Sequence, residues 1–188
     1  MPGFKKSSFK ENFLKINNLQ RQFDEWALRP GMLFRASEKW WGSGGVRARP
    51  HEGLDLCCYK DKRGNEHLLV AGALVPVIYR GEILKIEDDL IAKSVYVGHD
   101  IYDGEGNRLH TIYGHITPAE EVRRGAILEE GDIIGVIAEP AKKKITIHAH
   151  LHISVAFIAT SFHSEDLTWK VMADTRMVFL HDPLKIIS

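Results

Sequence analysis

The chain has 188 residues and a mass of 21.3 kDa, enough for one domain with a proper core and too little for two full ones. Lysine plus arginine and aspartate plus glutamate both number 25, so the net charge is zero with histidine neutral, which excludes a general attraction to nucleic acid or anionic membrane. An apolar share of 44% argues against disorder, no apolar run approaches the roughly 20 residues of a membrane span, and the adjacent pair Cys57 and Cys58 excludes a disulfide-stapled fold.

The opening MPGFKKSSFKENFLKI carries basic residues but no apolar h-region, so it does not read as a secretory signal. Ser8 followed by Glu11 is a capping-box pattern, and Phe9, Phe13, Ile16, Leu19, Phe23 and Trp26 recur at steps of three and four. The spacing predicts one helix over 8–27, stopped by Pro30-Gly31 and docked through Phe13, Ile16, Phe23 and Trp26; a partner-binding helix is the alternative. Residues 1–44 read as this helix and a lead-in, and 45–188 as the main domain.

From about residue 45 the pattern changes to short strands. LLVAGALVPVIY, EILKIED, SVYVGH, HTIYGHI, IIGVIA and ITIHAHLHISVAF are rich in β-branched and aromatic residues, with glycines between them. Asp103 to Asn107 mark a hairpin loop. No long helical pattern separates the strands, so the expected architecture is a compact, mainly β, antiparallel sheet domain with an N-terminal helix. SEDLTWKVMADT, within 158–180, is compatible with a short helix or a long loop.

The unusual count is ten histidines. Ile145 to Ser154 reads I-T-I-H-A-H-L-H-I-S, and strand alternation places His148, His150 and His152 on one face with an apolar back. Such a face can feed one metal site, the plainer alternative being a solvated His-rich surface. In Arg49-Pro50-His51-Glu52-Gly53-Leu54-Asp55, His51 and Asp55 share a face, and Gly53 between them leaves room for an ion. Two rivals exist here: a helical zincin-like motif with Glu52 as base, which Gly53 and the missing second histidine disfavour, and Cys57 as a thiolate ligand rather than a buried cysteine. Cys58 is expected to face the core. In Thr111-Ile112-Tyr113-Gly114-His115, alternation puts Thr111, Tyr113 and His115 on one face.

In this order, Arg49-x-His51-x-Gly53-x-Asp55, Tyr113-x-His115 and His150-x-His152 resemble the motifs of the lysostaphin-type (LytM-like) zinc endopeptidases, which cut peptides of bacterial peptidoglycan. Gly125-x-x-Leu128-x-x-Gly131-Asp132-x-Ile134-Gly135 resembles that family's hairpin, and Asp182-Pro183 its closing segment. The resemblance covers about residues 45–157 and the short tail. It implies one zinc per chain on His51, Asp55 and His152, with His115 and His150 as catalytic residues beside it. Departures are His148, which stands where the family often has a small residue or proline, and the long 100–110 loop, which is expected to narrow the groove.

Two neutral imidazoles and one carboxylate would leave zinc a net positive charge and an open position for a water whose pKa falls toward about 7. The function the resemblance implies is zinc-dependent hydrolysis of peptidoglycan cross-bridge or stem peptides, by a chain expected to be a monomer that spans no membrane and binds no nucleic acid. A non-catalytic module of the same fold that binds cell wall or regulates another wall hydrolase is the alternative, and a zinc hydrolase of other peptides is a third reading.

Overall fold

The computed structural model describes residues 5–140, 147–174 and 176–187. Ile145 and Thr146, assigned above to the histidine strand, lie outside the described residues.

The first helix is much shorter than the apolar spacing predicts. Helix α1 covers Phe9–Ile16, and strand β1 covers Phe23–Trp26. The break is made by Asn17 and Asn18. Asn18 adopts φ +57, the left-handed conformation asparagine tolerates, and the Leu19 N–H turns back to the Leu14 carbonyl. Asn17 then clasps Leu74 through both amide atoms, at 2.9 and 2.8 Å. The capping box is also absent. Ser8 lies at φ −86, ψ 22 with no side-chain cap, and its N–H donates to Glu130 Oε1. Phe23 and Trp26 still reach the expected neighbours, since the Trp26 ring lies 5.6 Å from that of Phe13; the three-and-four spacing survives across a turn.

Strand β1 joins a small antiparallel sheet in the order β1-β3-β4, with β3 at Cys58–Asp61 and β4 at Glu66–Leu68. The main sheet is antiparallel in every described pairing. Its path runs from β12 (Val178–His181) through β11 (Leu151–Ile158), β8 (Arg108–Pro118), β7 (Lys93–Tyr102) and β6 (Gly81–Asp88) to β9 (Ile127–Leu128). β10 (Ile133–Ile137) pairs with both β8 and β5 (Leu74–Pro76), and β2 (Leu54–Leu56) pairs with the first half of β11. The expected turn at 103–107 links β7 to β8 and is held by the Asp103 carboxylate, which accepts the Glu105 and Asn107 N–H groups.

One face of β11, comprising Leu151, Ile153, Val155 and Phe157, enters the main core together with Phe9, Phe13, Tyr113 and Ile116. The opposite face starts polar with His152 and Ser154 and turns apolar at Ala156 and Ile158. That second half is covered by the segment that sequence leaves ambiguous. A 3-10 turn at Ser164–Asp166 and helix α2 (Trp169–Asp174) bring Leu167 and Met172 over it, and burial of Ala156 and Ile158 supplies the reason for the detour. Both cysteines are free and buried against Ala27 and Met32.

Candidate active site

Two adjacent strands and one loop build the centre. In the β2–β11 ladder Asp55 stands directly opposite His152, so their side chains emerge together on the sheet face away from the main core. His51 precedes β2 in an extended loop, fixed by its N–H on the Ala36 carbonyl and its carbonyl on the Arg35 N–H. Arg35 sits at φ +63, which marks the sharp turn of the loop that receives it. The loop is not helical, which removes the zincin-like alternative.

Gly53 is required for a different reason than room for an ion. A Cβ there would lie 2.3 Å from the Ile153 carbonyl oxygen, 2.6 Å from His152 Nε2 and 2.7 Å from Ser154 Oγ. The absent side chain lets β2 close onto β11 and leaves space for the hydrogen-bonded His152–Ser154 pair.

The donor atoms converge. His152 Nδ1 lies 2.8 Å from Asp55 Oδ1, His51 Nε2 lies 3.3 Å from that oxygen, and the two imidazole nitrogens are 3.2 Å apart. All three residues are buried. Tetrahedral ligands about 2.05 Å from a zinc ion stand about 3.3 Å from one another, so this triangle fits such an ion with little adjustment. The outer nitrogens are already committed, His51 Nδ1–H to the Leu33 carbonyl at 3.0 Å and His152 Nε2 to Ser154 Oγ at 2.9 Å. Burial alone would raise the Asp55 carboxyl, but the His152 and His51 imidazoles outweigh it and hold it well below the usual carboxylate range. Burial pushes the His152 imidazole down, so it is neutral at neutral pH as a metal ligand must be. Cys57 is not part of this group.

His150 and His115 stand beside the triangle, their rings 4.7 Å apart. His150 lies in the lead-in to β11, whose first residue is Leu151. Its Nδ1–H donates to the His148 carbonyl at 2.9 Å, and its Nε2 lies 3.9 Å from Asp55 Oδ1. Burial pushes its pKa to about 4. His148 itself is exposed.

His115 reaches the site by a departure from alternation. The ladder with β7 pairs Val95 with Tyr113 and Lys93 with Ile116, so Gly114 and His115 together oppose Ser94 in a β-bulge. His115 takes φ +64, and its ring turns away from the face of Tyr113. Tyr113 is buried in the main core, where its hydroxyl accepts the Ile78 N–H. The expected common face of Tyr113 and His115 is thus corrected. Asp89, in the loop between β6 and β7, stabilises the bulge. It accepts the His115 N–H at 2.8 Å and sits 3.1 Å from His115 Nδ1, while also accepting Ser94 Oγ–H and the Ile91 and Ala92 N–H groups. Burial opposes ionisation of Asp89, but the His115 contact and these N–H donors outweigh it and keep it an anion.

Sequence reasoning passed over Asp89, Trp40, Arg47 and Trp169. Trp40 Nε1–H donates to Asp55 Oδ2 at 2.6 Å, and Arg47 Nη2 lies 3.4 Å from the same oxygen. Arg49, the arginine of the motif, is exposed. Trp169 abuts the His152 ring at 4.9 Å and an angle of 87°. The pocket above the centre is lined by Trp41, Ile147, Leu90 and Trp169 among others, with no contribution from the 100–110 loop. The signal for Trp40 and Arg47 was present as a tryptophan pair before a glycine-rich turn, WWGSGGVR.

No protein-family model and no curated protein matches the sequence. Among solved structures, the chain is similar to lysostaphin at 16% identity and a TM-score of 0.49, over 95% of this chain and 52% of that one. It is also similar to the catalytic domain of the prophage-encoded protein EnpA from Enterococcus faecalis, at 18% identity and a TM-score of 0.42 over 76% and 84% of the two chains. A zinc-containing peptidase from Vibrio cholerae gives 18% and 0.42, over 73% of this chain and 37% of that one. The chain thus spans about half the length of the lysostaphin chain.

Proposed function

We propose that the chain is a zinc-dependent endopeptidase that hydrolyses peptide bonds of peptidoglycan cross-bridges or stem peptides. The observation that carries this is the buried triangle of His51 Nε2, Asp55 Oδ1 and His152 Nδ1, with two further imidazoles at its open side. Those three residues would hold the metal, which supplies polarisation of a carbonyl and a water acidic enough to attack at neutral pH.

The remaining work belongs to His115 and His150. Asp89 holds the His115 backbone through its N–H and places a carboxylate oxygen 3.1 Å from Nδ1, a negative charge that favours the ring's taking up a proton. His115 is therefore the group that takes the proton from the attacking water and returns it to the leaving amine. His150, fixed by its Nδ1–H on the His148 carbonyl, presents an unprotonated Nε2 next to Asp55 and orients the attacking water. Trp41 and Trp169 line the pocket as aromatic walls against which an extended peptide can lie.

The test is digestion of purified peptidoglycan by the zinc-loaded protein, with the released amines identified. New amino termini in proportion to bound zinc are expected. Zinc-loaded protein that frees no amine from any wall preparation would overturn the substrate, and protein that takes up no zinc would overturn the reaction class.

A further inference from the structure

Asp55 has two carboxylate oxygens, and they are treated differently. Oδ1 faces the two ligand imidazoles at 2.8 and 3.3 Å. Oδ2 is turned outward, where it accepts the Trp40 indole N–H at 2.6 Å and lies 3.4 Å from the Arg47 guanidinium. Both donors sit on a hairpin over 37–47. It is closed by Lys39 N–H to the Gly45 carbonyl at 2.8 Å, Arg47 N–H to the Ser37 carbonyl at 2.7 Å, and a tight turn from Trp41 to Gly44. Its base rests on the 30–32 turn, because Arg47 Nη2 donates to the Gly31 carbonyl and a Cβ on Gly31 would meet the Trp40 nitrogen at 2.8 Å. Trp40 also sets its ring edge-on to His150 at 5.0 Å.

We infer that Trp40 and Arg47 are positioning residues that hold Asp55 as a one-oxygen ligand and so keep the metal centre four-coordinate. A free carboxylate can bind a cation through one oxygen or through both, and nothing in the β2 backbone selects between them. Oδ2 has two lone pairs and receives two donors, the indole N–H at 2.6 Å and the Arg47 guanidinium at 3.4 Å, so a second metal bond through Oδ2 would have to displace one of them. The guanidinium adds a charge that draws the same oxygen outward. With Oδ2 withheld, Asp55 would offer a metal one oxygen only, and the side facing His115 and His150 would be left to water or substrate. The inference rests on the metal reading above and adds to it a residue outside the three ligands.

The test uses cobalt(II) alone as the probe, since its visible absorption weakens when a tetrahedral site expands to five ligands. Trp40→Phe keeps a ring against His150 and removes the donor. It is expected to bind one equivalent of cobalt with a weaker visible band than the parent and about 10- to 100-fold lower affinity, the range for losing an outer hydrogen bond to a metal ligand. Arg47→Lys should move both readouts in the same direction by less, and it stands in should Trp40→Phe fail to fold, as judged by melting of the chelated protein. Cobalt spectra and affinities of both variants equal to the parent's overturn this inference alone. A parent protein that takes up no cobalt overturns the metal reading and this inference with it.

Discussion

Asp89→Asn isolates the role of the loop carboxylate, because the amide keeps the shape and removes one acceptor. Oδ1 accepts the Ile91 and Ala92 N–H groups, both at 2.8 Å, and Oδ2 accepts Ser94 Oγ–H and the His115 N–H, also at 2.8 Å. With the amide nitrogen at the Oδ1 position, two backbone donors face a donor. With it at the Oδ2 position, the Ser94 hydroxyl can rotate and accept, so only the His115 N–H is orphaned; the second arrangement is favoured. One unsatisfied N–H costs about 1–3 kcal/mol, and the surviving bonds lose their ionic partner, giving a total of about 2–3 kcal/mol. For a chain of this length each kcal/mol lowers the melting temperature by about 2–4 °C, so the chelated protein should melt about 4–12 °C lower, read by circular dichroism at pH 7. His115 is held at φ +64 by this contact, so turnover should fall about tenfold or more while zinc uptake persists, since the three proposed ligands are untouched. A variant that melts within about 1 °C of the parent would refute the claim that Asp89 stabilises the bulge.

His115, His148, His150 and His152 should separate by dialysis against zinc. His152→Ala loses metal and turnover, whereas His150→Ala and His115→Ala keep the metal with turnover down about 100-fold or more, and the exposed His148 can be replaced without either effect; zinc lost with His148→Ala and kept with His152→Ala would refute the assignment. Gly53→Ala places a methyl 2.3 Å from the Ile153 oxygen, so β2 must leave β11; a loss of about 3 kcal/mol or more in urea is expected together with loss of zinc binding, and near-parent stability would contradict the packing account. Acid should destabilise the chelated fold through His99 and His110, which burial pushes to about 4. Because these folded values lie below the ordinary value of about 6.5, the unfolded chain binds more protons between the two, so stability is full above about pH 6.5 and falls toward pH 4, by about 3 kcal/mol for each residue at most. Urea midpoints from pH 7 to 4.5 check this, and a slope that His99→Gln leaves unchanged would exclude His99 as a contributor.

The sheet and the convergence of the five candidate residues are legible because each is written in local pattern. β-branched runs between glycines announce strands, and His-x-x-x-Asp with a distant His-x-His announces donors on neighbouring strands. What could not be read was set by contacts across the chain. The length of α1 depends on Asn17 clasping Leu74, 57 residues away, and periodicity carries no trace of that bond. Phe23 and Trp26 kept a helical spacing although they belong to a strand, because both pack on the same core as Phe13. Asp89 simply follows Asp88 in the sequence, and its meaning appears only when β8 lies beside its loop. Gly53 was correctly singled out but for the wrong neighbour, since the backbone of β11 was not yet there to collide with.

The bulge at Gly114 and His115 makes β8 a strand that changes phase. Tyr113 and Ile116 both point into the core although they are three residues apart, an odd separation that alternation forbids. Up to Gly114 the strand is registered against β11, and from Ile116 onward against β10. Loss of Gly114 or His115 would leave Tyr113 and Ile116 an even step apart, both inward under ordinary alternation, and would erase the bulge that turns the His115 ring toward the centre. The count between the two inward residues therefore matters as much as the identity of His115. Length is a second property, beside side-chain chemistry, that this stretch of sequence has to preserve.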